Sequence, residues 1–321
     1  MTMKELAKLA NVSVSTVSKA FSEADDINDD TKNHIFELAK QTGCYGKFYK
    51  GKYHKKIIAV IAPEIVSDYY KIFLNCISSL IDKSGGIMLI ATDDFNNTKQ
   101  AELVDYFSCY LKVDAIIAFC LRNRLKKAYD TPIVSLFGTA DDKVDSVKTN
   151  LDFAMQSAVD LLFSYGHKNI AFFTEELTTV KVEAFKKAAL NSGILNTPII
   201  RGNERFEKAG KDCVGKLLES HPNCTAIICA YDNIAIGAIK ELKKRNFKIP
   251  DDISVIGIDN IAIGKYTETA LTTIDTNPEQ ICEIAWDLIQ KKLKNPYFKS
   301  NQNIEIFSKL VIRESVKNIN E

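Results

Sequence analysis

The chain has 321 residues, with 42 basic and 41 acidic side chains for a net charge of +1, and is 46% hydrophobic. That balance fits a soluble protein of two or three domains with a sizeable core and excludes a largely disordered chain. No N-terminal apolar run resembles a signal peptide and no run of eighteen apolar residues is present, so a cytoplasmic protein without a membrane partner is expected.

The charge is unevenly spread. Residues 1–56 hold ten lysines against seven acids, and the remainder is slightly acidic. The eight cysteines form no CxxC pair and have no nearby His, so they read as small apolar residues in a reducing cytosol, and no metal or cofactor is expected.

Leu6, Ala7 and Ala10 mark one short helical face, with Thr2 as its candidate N-cap. Alternation of Val12, Val14 and Thr16 with serines imitates a strand, but Val17, Ala20 and Phe21 recur at helical spacing, and Ser13 stands where an N-cap is wanted. Asn11-Val12 makes the turn between them, since Asn tolerates the left-handed conformation. Two short helices joined this way form a helix-turn-helix. With Val17 and Phe21 inward, Ser13, Val14, Ser15, Thr16, Ser18 and Lys19 stay on the open side. Short hydroxyls there can bond phosphates and base edges, and Lys19 can reach a guanine or a phosphate. A serine-rich amphipathic helix on some other domain has the same pattern.

A third helix starts at Asn28, runs through Thr31, Ile35, Leu38 and Ala39, and stops at Gly43. Residues 44–56 then contain five lysines, two glycines and no acid, which predicts a basic linker and a poor autonomous helix. From Ile57 onward, apolar runs alternate with helical patterns. Strands are expected at Ile57–Ala62, Ile87–Ala91, Ala115–Phe119, Ile133–Phe137, Ile170–Thr174, Pro198–Ile200, Ala226–Ala230, Ile253–Ile258 and Leu271–Ile274. This βαβ repetition predicts doubly wound parallel sheets with ligand space at the carboxyl ends of the strands.

The continuous stretch from Thr2 to Lys19 resembles the N-terminal signature of the lactose-repressor/galactose-repressor (LacI/GalR) family. Later segments agree in order: Pro63-Glu64-Ile65, Val113-Asp114-Ala115, Gly166-His167-Lys168, Ile249-Pro250-Asp251-Asp252, Leu271-Thr272-Thr273-Ile274 and Arg313-Glu314-Ser315. The resemblance covers essentially the whole chain. It implies an all-α helix-turn-helix domain at 1–45, a hinge at 46–56, and an α/β core at 57–321 of two periplasmic-binding-protein-like lobes. Lobe 1 would span 57–148 and 277–302, and lobe 2 would span 149–276 and 303–321.

The function so implied is a sequence-specific transcriptional regulator, a repressor of a carbohydrate-utilisation or related metabolic operon. Its partners would be a pseudo-palindromic double-stranded DNA operator, a second copy of itself (with a tetramer as a further option), and a small effector such as a sugar, sugar phosphate or nucleobase. Val14, Ser15 and Lys19 would read bases. Thr2, Ser13, Thr16, Ser18, Ser22, Asn28 and Thr31 would hold phosphates. In the family the hinge pushes an apolar wedge into the minor groove. Here Cys44 replaces a usual aromatic, Gly46-Lys47 replaces Pro-Asn, and Tyr53 stands at the wedge position, with Lys47 and Lys50 beside the DNA. A solvated basic tether explains the same residues.

Asp259 matches a family acid that binds effector hydroxyls, although Asp259-Asn260 is also good turn chemistry. Lys181 replaces a usual effector-binding Arg and loses the planar fork. Tyr231 replaces an Asn, and Phe137 stands where several sugar-responsive members have Asp. With Tyr69 these rings form an aromatic wall or ordinary core. Asp93 borders the same cleft, and Asp232 is expected to cap the helix that follows it. An enzyme is not expected: there is no Walker loop or GxGxxG, and the four histidines are isolated. A second reading of another class is a cytosolic solute-binding or protein-interaction module whose helix-turn-helix is vestigial.

Overall fold

The computed structural model describes residues 1–22, 24, 26–48, 55–195, 197–295, 298 and 300–320. Two compact units emerge, one built on Met1–Lys56 and a larger one beginning at Ile57.

In the first unit, α1 (Met3–Leu9), α2 (Val14–Phe21) and α3 (Asp29–Gln41) are followed by a single turn, α4 (Tyr45–Phe48). Each of the three long helices starts where its sequence caps it. Thr2 and Glu5 form a reciprocal capping box, the Ser13 hydroxyl accepts from Thr16 N–H at 3.0 Å, and Asn28 accepts from Asp30 N–H at 2.8 Å. Asn11 takes φ of 55° in the turn, and Gly43 takes 69° after α3. Leu6, Ala7, Ala10, Val17, Ala20, Phe21, Ile35 and Ala39 close the core. The small alanines let α1 and α2 approach closely, and Phe21 fills the centre against Phe36, Tyr45 and Phe48. Cys44 and Phe48 are buried in this same core, so packing of the first unit runs past residue 45. The hinge residues Lys50 and Tyr53 lie outside the described residues.

The larger unit holds two six-stranded sheets. The first contains β1 (Ile57–Ala62), β2 (Ile87–Thr92), β3 (Ala115–Leu121), β4 (Ile133–Thr139), β5 (Asp145–Asn150) and β11 (Asn303–Phe307), in the order β11-β5-β4-β3-β1-β2. The second contains β6 (Ile170–Thr174), β7 (Ile199–Arg201), β8 (Ala226–Cys229), β9 (Ser254–Ile258), β10 (Thr272–Asp275) and β12 (Lys309–Val311), in the order β12-β10-β9-β8-β6-β7. β12 runs antiparallel to β10, while the pairings through β3, β4, β5 and β11, and through β7, β6, β8, β9 and β10, are parallel.

Sheets covered on both faces need strands apolar at every position. Ile58, Val60 and Ala62 of β1 pack on α5 (Asp68–Lys83) and α11 (Pro278–Lys294), whereas Ala59 and Ile61 face α6 (Asn97–Asp105) and the π-helical turn Tyr106–Leu111. The second core gathers around β6, β8 and β9 with α7 (Asp152–Ser164), α8 (Thr179–Asn191), α9 (Phe206–Ser220) and α10 (Asp232–Lys244).

Two expectations are corrected. β11 pairs with β5, as Ile304↔Val147 shows, so residues 303–307 belong to the first sheet and the chain re-enters the second lobe after Ser308 and not at 303. The cause is local: Ser146 and Asn303 side chains bond at 2.8 Å, and buried Asp145 accepts from Gln302 N–H at 2.7 Å. Likewise β5, too polar to register as an apolar run, carries the first sheet through Asn150.

Candidate nucleic-acid interface and ligand cleft

Helix α2 separates its residues by face. Val17, Ala20 and Phe21 are buried, while Ser13, Val14, Ser15, Ser18, Lys19 and Ser22 are exposed and Thr16 is half-buried. Val14 is 42% exposed at the first position of the helix, where no core contact explains an apolar side chain. A convex helix with its cap, hydroxyls and one lysine outward presents donors and acceptors sized for a DNA groove. Thr2, Asn28 and Thr31 stand at the starts of α1 and α3, where helix N-termini favour phosphate. Two hydroxyls are engaged locally, Ser13 and Thr16 bonding each other at 2.8 Å. One neighbour was not legible as part of this surface: the Asp26 carboxylate pairs with the Lys19 ammonium. Lys47 is exposed, and its ammonium donates to the Met1 carbonyl at 3.1 Å.

The second site lies where the carboxyl ends of both sheets converge. Each strand order reverses there, between β1 and β3 and between β6 and β8, and crevices form at such points. Lys181, on the first turns of α8, donates to the Ala230 carbonyl at 2.7 Å and to Asp259 Oδ1 at 3.0 Å. Its ammonium lies 5.6 Å from the Tyr69 ring and 5.8 Å from that of Tyr231. Four expected cleft residues therefore meet at one point. The Asp259 backbone adopts φ of 107°, which turns its carboxylate back beneath Lys181.

Asp259 is buried, and that burial pushes its carboxyl up to about 6 despite the facing Lys181. Burial likewise raises the Tyr69 phenol well above its ordinary range, with Asp259 adding to it. Phe137 packs behind Tyr69 at 5.4 Å and against Phe73 at 4.7 Å, so it backs the aromatic wall from the core side.

Two residues stand elsewhere than expected. Asp93 is fully buried within the first lobe, accepting from Phe95 N–H, Gln100 Nε2 and Arg122 Nη2 at 2.9, 2.8 and 3.1 Å. Neither oxygen is left for a ligand. Asp232 does not cap α10, whose N-cap is Tyr231. Its carboxylate accepts from Ile261 N–H at 2.8 Å and from the Thr273 hydroxyl at 2.6 Å, beneath Gly257, where any Cβ would come within 2.0 Å of it. Burial pushes that carboxyl up to about 8.

Bonds across the cleft involve residues that the sequence did not mark as cleft residues. Arg205 grips Glu64 with both terminal nitrogens at 2.7 and 2.8 Å, and Asn233 donates to Asp68 at 3.1 Å. Arg205 precedes α9 and Asn233 opens α10. These helices pack so closely that a Cβ on Gly210 would lie 2.0 Å from the Ile234 carbonyl oxygen.

Residues 2–45 match the model for bacterial regulatory proteins of the lacI family, and residues 159–316 match the periplasmic-binding-protein-like domain. The chain belongs to the LacI family. It is 27% identical over 334 residues to the HTH-type transcriptional repressor PurR of Histophilus somni (strain 2336), with 99% of each chain covered. It is similar in fold to a LacI-family regulator from Silicibacter pomeroyi (18% identity, 99% of both chains, TM-score 0.76). A further structural neighbour is a LacI-family regulator from Enterococcus faecium with bound ribose (21% identity, 82% of this chain and 100% of that one, TM-score 0.70). As a LacI-family member, this protein is a DNA-binding transcriptional regulator whose N-terminal helical unit precedes two α/β lobes. Among the described residues no helix is long and apolar enough to cross a membrane.

Proposed function

We propose that the protein is a cytoplasmic repressor of a metabolic operon that binds a pseudo-palindromic operator as a homodimer, with no enzymatic role. The exposed polar face of α2, fixed by a capped start and a fully buried Val17–Phe21 side, carries this reading. Val14, Ser15 and Lys19 contact base edges, while Thr2, Ser13, Thr16, Ser18, Ser22, Asn28 and Thr31 hold phosphates. Lys47, Lys50 and Tyr53 follow the DNA backbone toward the minor groove.

One such helix reads too few bases for specificity, and a two-fold pair reads two half-sites. Large apolar side chains left exposed on the first lobe support a second copy against it: Ile90 on edge strand β2 at 47%, and Tyr106 and Tyr110 on the turn after α6 at 47% and 74% exposure. A polar small molecule between the lobes sets DNA affinity by shifting their closure. The cluster of Lys181, Asp259, Tyr69 and Tyr231 supports that placement, as does the ribose held by the E. faecium neighbour. Footprinting on the DNA upstream of its own operon tests the proposal. Protection of two half-sites about one helical turn apart is expected, and no protection at any site contradicts it.

A further inference from the structure

The lobes are joined across the cleft by bonds between their own side chains. Arg205 of the second lobe holds Glu64 of the first end-on through both terminal nitrogens, Asn233 bonds Asp68, and Lys181 lies over Tyr69. The Arg205 guanidinium is covered by Phe206 at 4.5 Å and Phe95 at 5.5 Å. These rings cover only part of the guanidinium, whose side chain stays 34% exposed, so a solute can reach it from the open side.

Glu64 matches it incompletely. A guanidinium has five N–H donors, and an end-on carboxylate reaches the two terminal nitrogens only. Among the described residues Arg205 Nε has no acceptor in good hydrogen-bond geometry, although the Tyr231 hydroxyl, which accepts from Phe206 N–H at 3.2 Å, also interacts with the Arg205 side chain. Arg122 repeats the pattern: Nη2 donates to Asp93 at 3.1 Å, Nη1 is buried without an acceptor, and Phe95 lies 5.8 Å away. Among the described residues, donors on two arginines beside one ring thus lack acceptors in hydrogen-bond geometry, and an oxyanion can supply them. At the carboxyl ends of β6 and β7, Arg205 borders an open concavity of about 370 Å³ lined also by Arg201, Asn203, Glu175, Glu176 and Glu204. That is room for a small metabolite.

We infer that Glu64 stands in for an oxyanion on Arg205, latching the two lobes together until an effector carrying a carboxylate or phosphate displaces it. This rests on the reading that a small molecule in the cleft controls DNA binding. Glu64 is a tethered competitor, so it lowers the apparent affinity for any external oxyanion. A phosphate, with a third oxygen, can reach Nε as well as the terminal nitrogens and gains there what Glu64 does not supply, whereas a carboxylate bound side-on exchanges one terminal nitrogen for Nε.

The test uses the full-length protein, its Glu64→Gln and Arg205→Gln variants, and calorimetric titration at constant ionic strength. The probes are inorganic phosphate, acetate, and D-ribose as a neutral control, each followed by operator affinity with and without the probe. Glu64→Gln is expected to bind at least one oxyanion ten times or more tighter than the wild type, and Arg205→Gln to lose that binding. Phosphate or acetate alone then identifies the group. If Arg205→Gln does not fold, Arg205→Lys keeps the charge without the fork and is expected to lose at least tenfold.

Equal oxyanion affinity in wild type and Glu64→Gln, or binding that survives loss of the fork, overturns the inference. Oxyanion binding that leaves operator affinity unchanged upholds the latch and removes control of DNA by the cleft. An operator response to ribose with no oxyanion binding does the reverse.

Discussion

Lys181 and Asp259, 78 residues apart in the chain, form one ion pair in the cleft with their charged atoms 3.0 Å apart, the carboxylate 3% exposed and the lysine 22%. Burial holds the Asp259 carboxyl at about 6, above its unfolded value, so its ionisation opposes folding. The stability it contributes is fully present below about pH 4 and is lost as pH rises through about 6. Lys181 limits that loss. Lys181→Met should therefore destabilise the core little at pH 5 and by about 3 kcal/mol at pH 8, where it leaves an uncompensated buried charge. Chemical denaturation at both pH values checks this; an equal loss at each would mean that the pair is not what matters.

Asp232 behaves differently because both of its oxygens are engaged by neutral groups, Ile261 N–H and the Thr273 hydroxyl. Its carboxyl, at about 8, is mostly protonated at neutral pH, and its ionisation weakens the fold progressively from about pH 4 to pH 8. Asn at this position keeps both bonds with the donor and acceptor reversed at Thr273. Asp232→Asn should match the wild type near pH 5 and surpass it in melting temperature at pH 8. A variant less stable at both ends of that range would contradict the assignment.

On the DNA-reading helix, Lys19 is paired with Asp26 before DNA arrives. Lys19→Ala should weaken specific operator binding by about 1–3 kcal/mol if the lysine reaches a guanine. Asp26→Asn should act in the opposite direction, releasing the ammonium and raising affinity for nonspecific duplex severalfold. Fluorescence anisotropy with operator and scrambled duplexes separates the two effects. An unchanged affinity and footprint for Lys19→Ala would remove that residue from the reading set.

The basic tether makes a separate, electrostatic prediction. Replacing Lys50, Lys52, Lys55 and Lys56 by Gln should flatten the dependence of affinity on salt, by a slope of about 0.9 for each phosphate no longer neutralised, without altering sequence preference. A salt slope that does not move means these lysines do not touch DNA.

Much of this architecture is legible in the sequence because local and tertiary demands coincide. Ser13, Thr2 and Asn28 cap the helices they precede, and Val17, Ala20 and Phe21 face inward as their spacing requires. Uninterrupted apolar runs become the central strands. β5 and β11 escape notice because both lie toward one end of the sheet and carry polar residues, Asp145 among them, that find partners only through the fold. Tyr69, Lys181, Tyr231 and Asp259 converge as the family pattern implies. Arg205 and Glu64, 141 residues apart, meet only when two lobes fold against each other, and no spacing rule connects them. Asp93 and Asp232 look like ligand or cap residues from sequence alone, yet each is consumed by neighbours whose approach depends on the folded core.

Everything proposed for the core matters only if the N-terminal helices select a DNA sequence. Repeated selection of the purified full-length protein against random duplex DNA measures that directly. Enrichment of a site with two-fold symmetry and a defined centre is expected, abolished when Val14, Ser15 and Lys19 are all replaced by Ala. A selected pool indistinguishable from its random starting material would contradict it.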